Sequence, residues 1–558
     1  MQSLKRGLCL YPFLAAVLAA PAPPVVNLGY AQYEGATVQD KVTNATHTQF
    51  LGIRYAAPPT GSLRFRAPAA PAFTAGVQQA NAEPAECFQA GDGVAATTPF
   101  RFGSGSTASK RAAAAGPSED CLFLNVYVPG NLGQKKNLPV VFWIHGGGYV
   151  GGSASSFDGN DLVRESGEEV IAVVIQYRLG VFGFLPGQQV KNAGALNAGL
   201  LDQQFALKWV QQHIRLFGGD PQQVTIWGES AGAGSVLQHV VANGGRTSPP
   251  LFRAAMTSST FLPSQYKFND PIPEALFSET VAQTAYVLLA SVPCSPYLTI
   301  LQIRCSSAAN ALECLRQVDA NTLQAANTQI NLAGFFGTFV FVPVVDGTFI
   351  TDRPTQMLRE QRTNGEIVLT VTNAFEGTVF VNQTAAALMT PAEYVTQLFP
   401  NFNAAQIQAT AAQYKGLGSN AFVNSAIMGE SIFICPTYFL LRSFSGVGFK
   451  GEFAIPPALH GQDVAYYFTN GQPPPFSNPQ FDKAFAEAFL DFVRFLNTNV
   501  KWDPQNTETP LWPTWSGSNE MLFNMTTAGA PDIRLIHTSS ALLERCNFWQ
   551  SVSAATAQ

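Results

Sequence analysis

Residues 224–232 read VTIWGESAG, and the fold follows from how this stretch must run. Residues 224–227 are β-branched and aromatic, the composition of a short buried strand. Residues 231–241 (AGAGSVLQHVV) suit a helix. Between them Gly228 and Gly232 flank Ser230 in a GxSxG spacing. A strand that turns this tightly into a helix brings backbone against backbone, so a Cβ at either flanking position would collide. Ser230 then projects from the turn at a helix N-terminus, where negative charge is favoured. The competing reading is a glycine-rich turn carrying an inert serine.

Working outward, residues 139–144 (PVVFWI), 170–177 (VIAVVIQY) and 367–372 (IVLTVT) are further continuous apolar runs. Such runs mark strands buried on both faces, as in a parallel sheet. Residues 200–217 between them have helical spacing, with Leu201, Phe205, Leu207, Trp209, Val210 and Ile214 apolar. Alternating strands and helices predict an α/β fold with a mostly parallel central sheet flanked by helices. No charged or Ser/Gly linker divides the chain, so residues 23–558 read as one domain. Residues 87–121, rich in Ala, Gly, Ser and Thr, read as a large surface loop.

Upstream of the serine, His145-Gly146-Gly147-Gly148-Tyr149 follows the strand 139–144. Successive glycines let backbone N–H groups approach a bound molecule without side chains in the way. The amides of Gly147, Gly148 and Ala231 are the expected oxyanion-hole donors. A phosphate-binding loop is the rival, but GKS, GKT and GxGxxG spacings are absent.

A serine nucleophile needs a base and an acid, in the chain order Ser, acid, His. The chain has six histidines: His47, His145, His213, His239, His460 and His537. His239 lies on the helix leaving Ser230 and points elsewhere. His460 follows an irregular Pro-containing segment, 454–459, and precedes Gly461, as a catalytic loop histidine would. His537 lies in a patterned segment and reads as structural. The acid candidate is Glu376, just past the strand 367–372. Asp346, in PVVDG, is the rival and reads as a turn aspartate.

Composition sets the outer limits. The chain has 558 residues, of which 12% are charged and 46% hydrophobic, against ~25% charged in an average soluble domain. That is too apolar for a disordered chain, and a net charge of −5 has the wrong sign for a nucleic-acid partner. Residues 1–22 read as a signal peptide: Lys5 and Arg6, then a 14-residue apolar run, 7–20, then small residues. The run is short of the ~20 residues needed to span a membrane, so no membrane span is expected. Eight cysteines with no CxxC and sequons at Asn44, Asn382 and Asn524 fit a secreted, glycosylated chain. Without Cys9 the count is odd.

These motifs together resemble the type-B carboxylesterase/lipase family of α/β-hydrolases. Residues 50–59 (FLGIRYAAPP) with 63–65 (LRF), 118–122 (SEDCL), 197–204 (NAGLLDQQ) and 217–221 (FGGDP) are similar to its patterns over almost the whole mature chain. The resemblance implies an α/β-hydrolase fold and the triad Ser230, Glu376 and His460. It also implies the disulfides Cys87–Cys121, which would close the large loop, Cys305–Cys314 and Cys435–Cys546, with Cys294 left over. It implies no cofactor, no metal, and a small-molecule or lipid ester as substrate. Residues 88–120 contain no Trp, a departure from the cholinesterases that argues against a quaternary-ammonium substrate. A secreted carboxylesterase is the reading. A triacylglycerol or sterol-ester lipase is the alternative, and a non-catalytic binding protein would lack part of the triad.

The phenylalanines divide similarly. Phe335, Phe336, Phe339 and Phe341 suit either core or an acyl pocket. Phe481, Phe485, Phe489 and Phe492 have helical spacing and read as core. Phe100 and Phe102 sit in the large loop.

Overall fold

The computed structural model describes residues 22–100, 117–291, 298–469, 474 and 476–558; of 285–291 and 298–304 it describes the backbone only. The expected signal peptide (except Ala22), Cys294 and Phe102 lie outside the described residues. Among the described residues the main sheet has eleven strands. In chain order they are β1 (Ala36–Gln39), β2 (Thr46–Arg54), β3 (Phe123–Pro129), β4 (Leu138–Ile144), β5 (Ile171–Ile175), β6 (Gly219–Glu229), β7 (Ala254–Ser258), β8 (Ile367–Asn373), β9 (Gly448–Phe453), β10 (Asn519–Met525) and β11 (Pro531–His537). Across the sheet they run β11-β10-β9-β8-β7-β6-β4-β5-β3-β2-β1. The block from β10 to β5 is parallel throughout, and β11 and the β3-β2-β1 side are antiparallel.

The continuous apolar runs have the reason expected of a parallel sheet. Successive side chains of a strand point to opposite faces, and both faces are covered. Val140, Phe142 and Ile144 of β4 join one core, and Val141 and Trp143 join the other. On the second face lies helix α3 (Pro479–Phe495), with Phe481, Phe485, Phe489 and Phe492 fully buried. Phe489 stacks on Trp227 of β6 at 5.5 Å. The phenylalanine series is core, as its spacing requires.

Some boundaries differ from the sequence reading. The helix expected over 200–217 is α1 (Ala198–His213) followed by a 3₁₀ turn, Ile214–Phe217. Residues 224–227 are only the centre of β6, which starts at Gly219. Helix α2 (Ala231–Gly245) is regular to Val241 and leaves helical φ/ψ at Ala242, Asn243 and Gly244.

The disulfides Cys87–Cys121, Cys305–Cys314 and Cys435–Cys546 are formed. The motif residues 50–65 and 118–122 meet in space: Arg54 pairs with Asp120 through 2.5 and 2.8 Å bonds. Arg64 pairs with Glu119 through 2.6 and 2.7 Å bonds. Beside Cys121, these pairs anchor one root of the large loop. Of the sequons, Asn44 and Asn382 are exposed, and Asn524 is half-buried on β10.

Candidate active site

Ser230 stands between β6 and α2 at φ 55°, ψ −123°, a conformation that costs an L-residue energy. The turn is over-determined. Ser230 N–H donates to Ser258 O of β7 (2.9 Å), and Ser230 O accepts from Gly234 N–H (2.8 Å). A Cβ on Gly228 would lie 2.5 Å from Gly232 C, and one on Gly232 would lie 2.0 Å from Ile144 O. Both glycines are therefore fixed by close backbone approach, and the serine between them is presented at the ends of β4, β6 and β7.

The loop 145–152 leaves β4 beside this turn. Gly147 (φ 97°) and Gly148 (φ 64°) need a conformation that L side chains rarely adopt. Gly147 O holds the loop by accepting from Val150 and Gly151. The N–H groups of Gly147, Gly148 and Ala231 donate to nothing among the described residues. His145 stacks on Tyr177 at 4.5 Å, with Tyr177 OH donating to His145 O. Burial lowers His145 to about 4, so it is a neutral structural ring.

The loops after β8 and β9 run together, since Phe375 N–H donates to Ala458 O (2.9 Å) and Ala374 N–H to Phe453 O (3.0 Å). That pairing brings Glu376 to His460, with Glu376 Oε2 2.6 Å from His460 Nδ1. The other oxygen, Oε1, accepts from Ser259 Oγ (2.7 Å) and Asn373 N–H (2.7 Å). Phe380 and Phe433 wall the imidazole at 4.8 and 4.5 Å. His460 Nε2 is buried without a hydrogen bond. Ser230, His460, Gly147 and Gly148 line one pocket.

Burial alone would lower the His460 pKa, but Glu376 first, then Glu229 and Asp463, raise it above the ordinary imidazole value. Glu229, the residue before Ser230, has Oε1 3.2 Å from His460 Nε2. Burial pushes it up to about 8, against the pull of His460. Asp463 is also raised by burial. It accepts from Tyr467 OH (2.5 Å) and Asn373 Nδ2 (2.9 Å).

The other candidates are elsewhere. Asp346 Oδ1 accepts from the N–H groups of Thr348 and Phe349 and from Thr348 Oγ1, and Oδ2 accepts from Asn197 Nδ2. It is a turn aspartate. His239 is buried beside Gln203 and lowered to about 3 by burial. His537 is exposed on the edge strand β11. Of the phenylalanines weighed between core and pocket, Phe341 is core, whereas Phe339 lines the pocket holding Ser230. Sequence reasoning missed Ser259, Asn373, Asp463 and Glu229. Asn373 and Asp463, each three residues from a triad candidate, and Glu229, next to Ser230, were reachable by proximity. Ser259, at φ 60°, arrives only through the sheet. Among the described residues no cluster of three or more His, Cys, Asp or Glu is placed to hold a metal ion, and no helix is long and apolar enough to cross a membrane.

Comparison with known proteins follows the same lines. A family model described as the carboxylesterase family matches residues 22–549. The chain is 31% identical to carboxylesterase patB of Aspergillus clavatus, over 96% of this chain and 97% of that one. It is 30% identical to secreted lipase 1 of Botryotinia fuckeliana, over 86% of each chain. Among solved structures it is similar to EstA of Aspergillus niger, with a TM-score of 0.80 and 28% identity, over 96% of this chain and 99% of that one.

Proposed function

Since the chain belongs to the carboxylesterase family and hydrolyses carboxylic esters, we propose that it does so through an acyl-enzyme on Ser230, with His460 as base and Glu376 as its orienting acid. Ser230 Oγ attacks the ester carbonyl while His460 Nε2 takes its proton. The oxyanion forms against the free amides of Gly147, Gly148 and Ala231, each such donor being worth on the order of 10²–10³ in rate. The imidazolium is stabilised through Nδ1–H by Glu376, then protonates the leaving alcohol. Water repeats the sequence and releases the acid.

The observation that carries this reading is the 2.6 Å contact of Glu376 with His460, which lines one pocket with a strained Ser230. An organophosphate should label one serine per chain, Ser230, and Ser230→Ala should abolish both labelling and turnover with the fold retained. Labelling at another serine overturns the assignment.

The reading includes export. Three disulfides need an oxidising compartment, and the N-terminal sequence has the charge and apolar run of a signal peptide. Residues 23–558 would then be the mature single domain, with glycans at the sequons Asn44, Asn382 and Asn524. We read the chain as a general carboxylesterase. Lipase action on triacylglycerols or sterol esters is the second reading, favoured by an apolar cavity that shares the wall at Phe339 with the pocket; rates with and without an emulsion interface separate the two.

A further inference from the structure

The helix Asn420–Gly429 runs into a π-helical turn, Glu430–Ile434, and continues as the helix Cys435–Ser443. The sequence leaves this turn short of donors. Pro436 has no N–H, so Ser431 O finds no donor five residues on, and Ile432 O finds none four residues on. Cys435 N–H, the remaining candidate for Ser431 O, donates to Glu430 O. Both carbonyls are bonded from outside the helix instead. Leu262 N–H donates to Ile432 O (2.8 Å), and Gln558 Nε2 donates to Ser431 O (2.8 Å).

Gln558 Nε2 donates a second bond, to Leu262 O at 2.6 Å. One buried amide therefore ties the π turn to the segment that leaves β7. Its orientation is fixed, because Thr556 Oγ1 donates to Gln558 Oε1 (2.8 Å). The chain arrives there on a secured base: Cys546 is bridged to Cys435, and Arg545 pairs with Glu430 through 2.6 and 2.7 Å bonds. Both tied segments reach the triad. The β7 segment carries Ser259, whose Oγ donates to Glu376, and the π turn carries Phe433, which walls His460. Phe261 and Phe433 stack across the joint at 5.3 Å.

We propose that Gln558 is a positioning residue for the hydrolysis: its side-chain amide cross-links the two segments that support Glu376 and His460. This rests on the triad reading at Ser230. Without the amide, Leu262 O and Ser431 O are left buried and short of a donor, a costly state. They regain partners only by moving backbone, and that motion carries Ser259 and Phe433 with it. A 1 Å misplacement at a reacting centre costs on the order of 10² in rate, and loosening two supports of the catalytic pair costs part of that.

The test measures kcat and KM of the full chain on a p-nitrophenyl ester. Gln558→Met keeps the volume and removes the donor. Gln558→Glu keeps the shape and turns an oxygen towards both carbonyls, and serves if the methionine variant does not fold. Each should lower kcat about 10-fold and move KM much less. The loss should shrink in a Ser259→Ala background, where one of the two supports is already gone, because residues of one network do not add. Phe485→Ala, on the other face of the sheet, controls for lost stability and should keep the kcat of its folded fraction. Unchanged kcat in both Gln558 variants, a loss fully additive with Ser259→Ala, or an equal loss in Phe485→Ala overturns the proposal while Ser230 still takes the organophosphate. Absence of that label from Ser230 in the parent chain overturns the triad reading instead.

Discussion

The two sides of β6 are built on opposite principles. On one side Trp227 stacks on Phe489 of α3, in a core dense in buried aromatic rings. Three residues further along the chain, just past the end of that strand, Ser230 sits in a strained turn. It faces a buried histidine surrounded by Glu376, Glu229 and Asp463. The core side is held by apolar and aromatic packing. The catalytic side keeps left-handed backbone, free amides and an unbonded Nε2. The stability of the first holds the second in its unfavourable state.

The strongest challenge to that contrast is Glu376→Gln. A neutral amide cannot stabilise the imidazolium, and kcat should fall on the order of 10³–10⁴, by analogy with the Asp→Asn change of a serine protease that is the standard example. KM should move little. Asp346→Asn is the control: it disturbs a turn, so it should lower stability and leave the kcat of the folded protein near normal. Near-full turnover in Glu376→Gln would give the acid role to another residue.

A smaller effect is expected from the other region. Phe485→Ala removes a ring packed against Phe489, Phe523 and Tyr467, and should cost about 3–5 kcal/mol of stability. Chemical denaturation measures this, alongside kcat at a temperature where the variant is folded. Tyr467 also holds Asp463, so a drop in kcat comparable to that of Glu376→Gln would show that the two regions are not separable.

The smallest effect is on pH. His460 must be neutral to act as base, and its neighbours raise its pKa above the ordinary ~6.5. The acid limb of kcat/KM should have its midpoint above that value. In Glu376→Gln the chief raising influence is gone, so the midpoint of the residual activity should fall. A limb that stays in place would assign it to a different group.

How much of this was legible in the sequence depends on how local the physics is. The α3 phenylalanines follow helical spacing, and the glycines at 228 and 232 answer to contacts inside one strand–turn–helix unit. Both could be read directly. Glu376 could be singled out because it follows the strand 367–372, and His460 because it follows an irregular Pro-containing segment late in the chain; the structure brings the two into contact. Ser259 was not legible: it follows β7 and reaches Glu376 only through neighbours that the folded sheet decides. The group Phe335 to Phe341 was ambiguous for a related reason. In an irregular segment no period sorts side chains, and core and cavity wall alternate within seven residues. The order of strands across the sheet, likewise, has no signature in any one of them.

The backbone of Ser230 has a consequence for heredity rather than chemistry. A non-glycine residue held at φ 55°, ψ −123° costs on the order of 1–3 kcal/mol, and glycine at that position would relieve most of it. If Ser230 is the nucleophile, as proposed, the inactive Ser230→Gly chain should therefore melt above the active one. Random variation screened for heat resistance alone would enrich molecules that have lost their nucleophile. Keeping a serine there requires selection that watches turnover, in nature as in a laboratory evolution experiment.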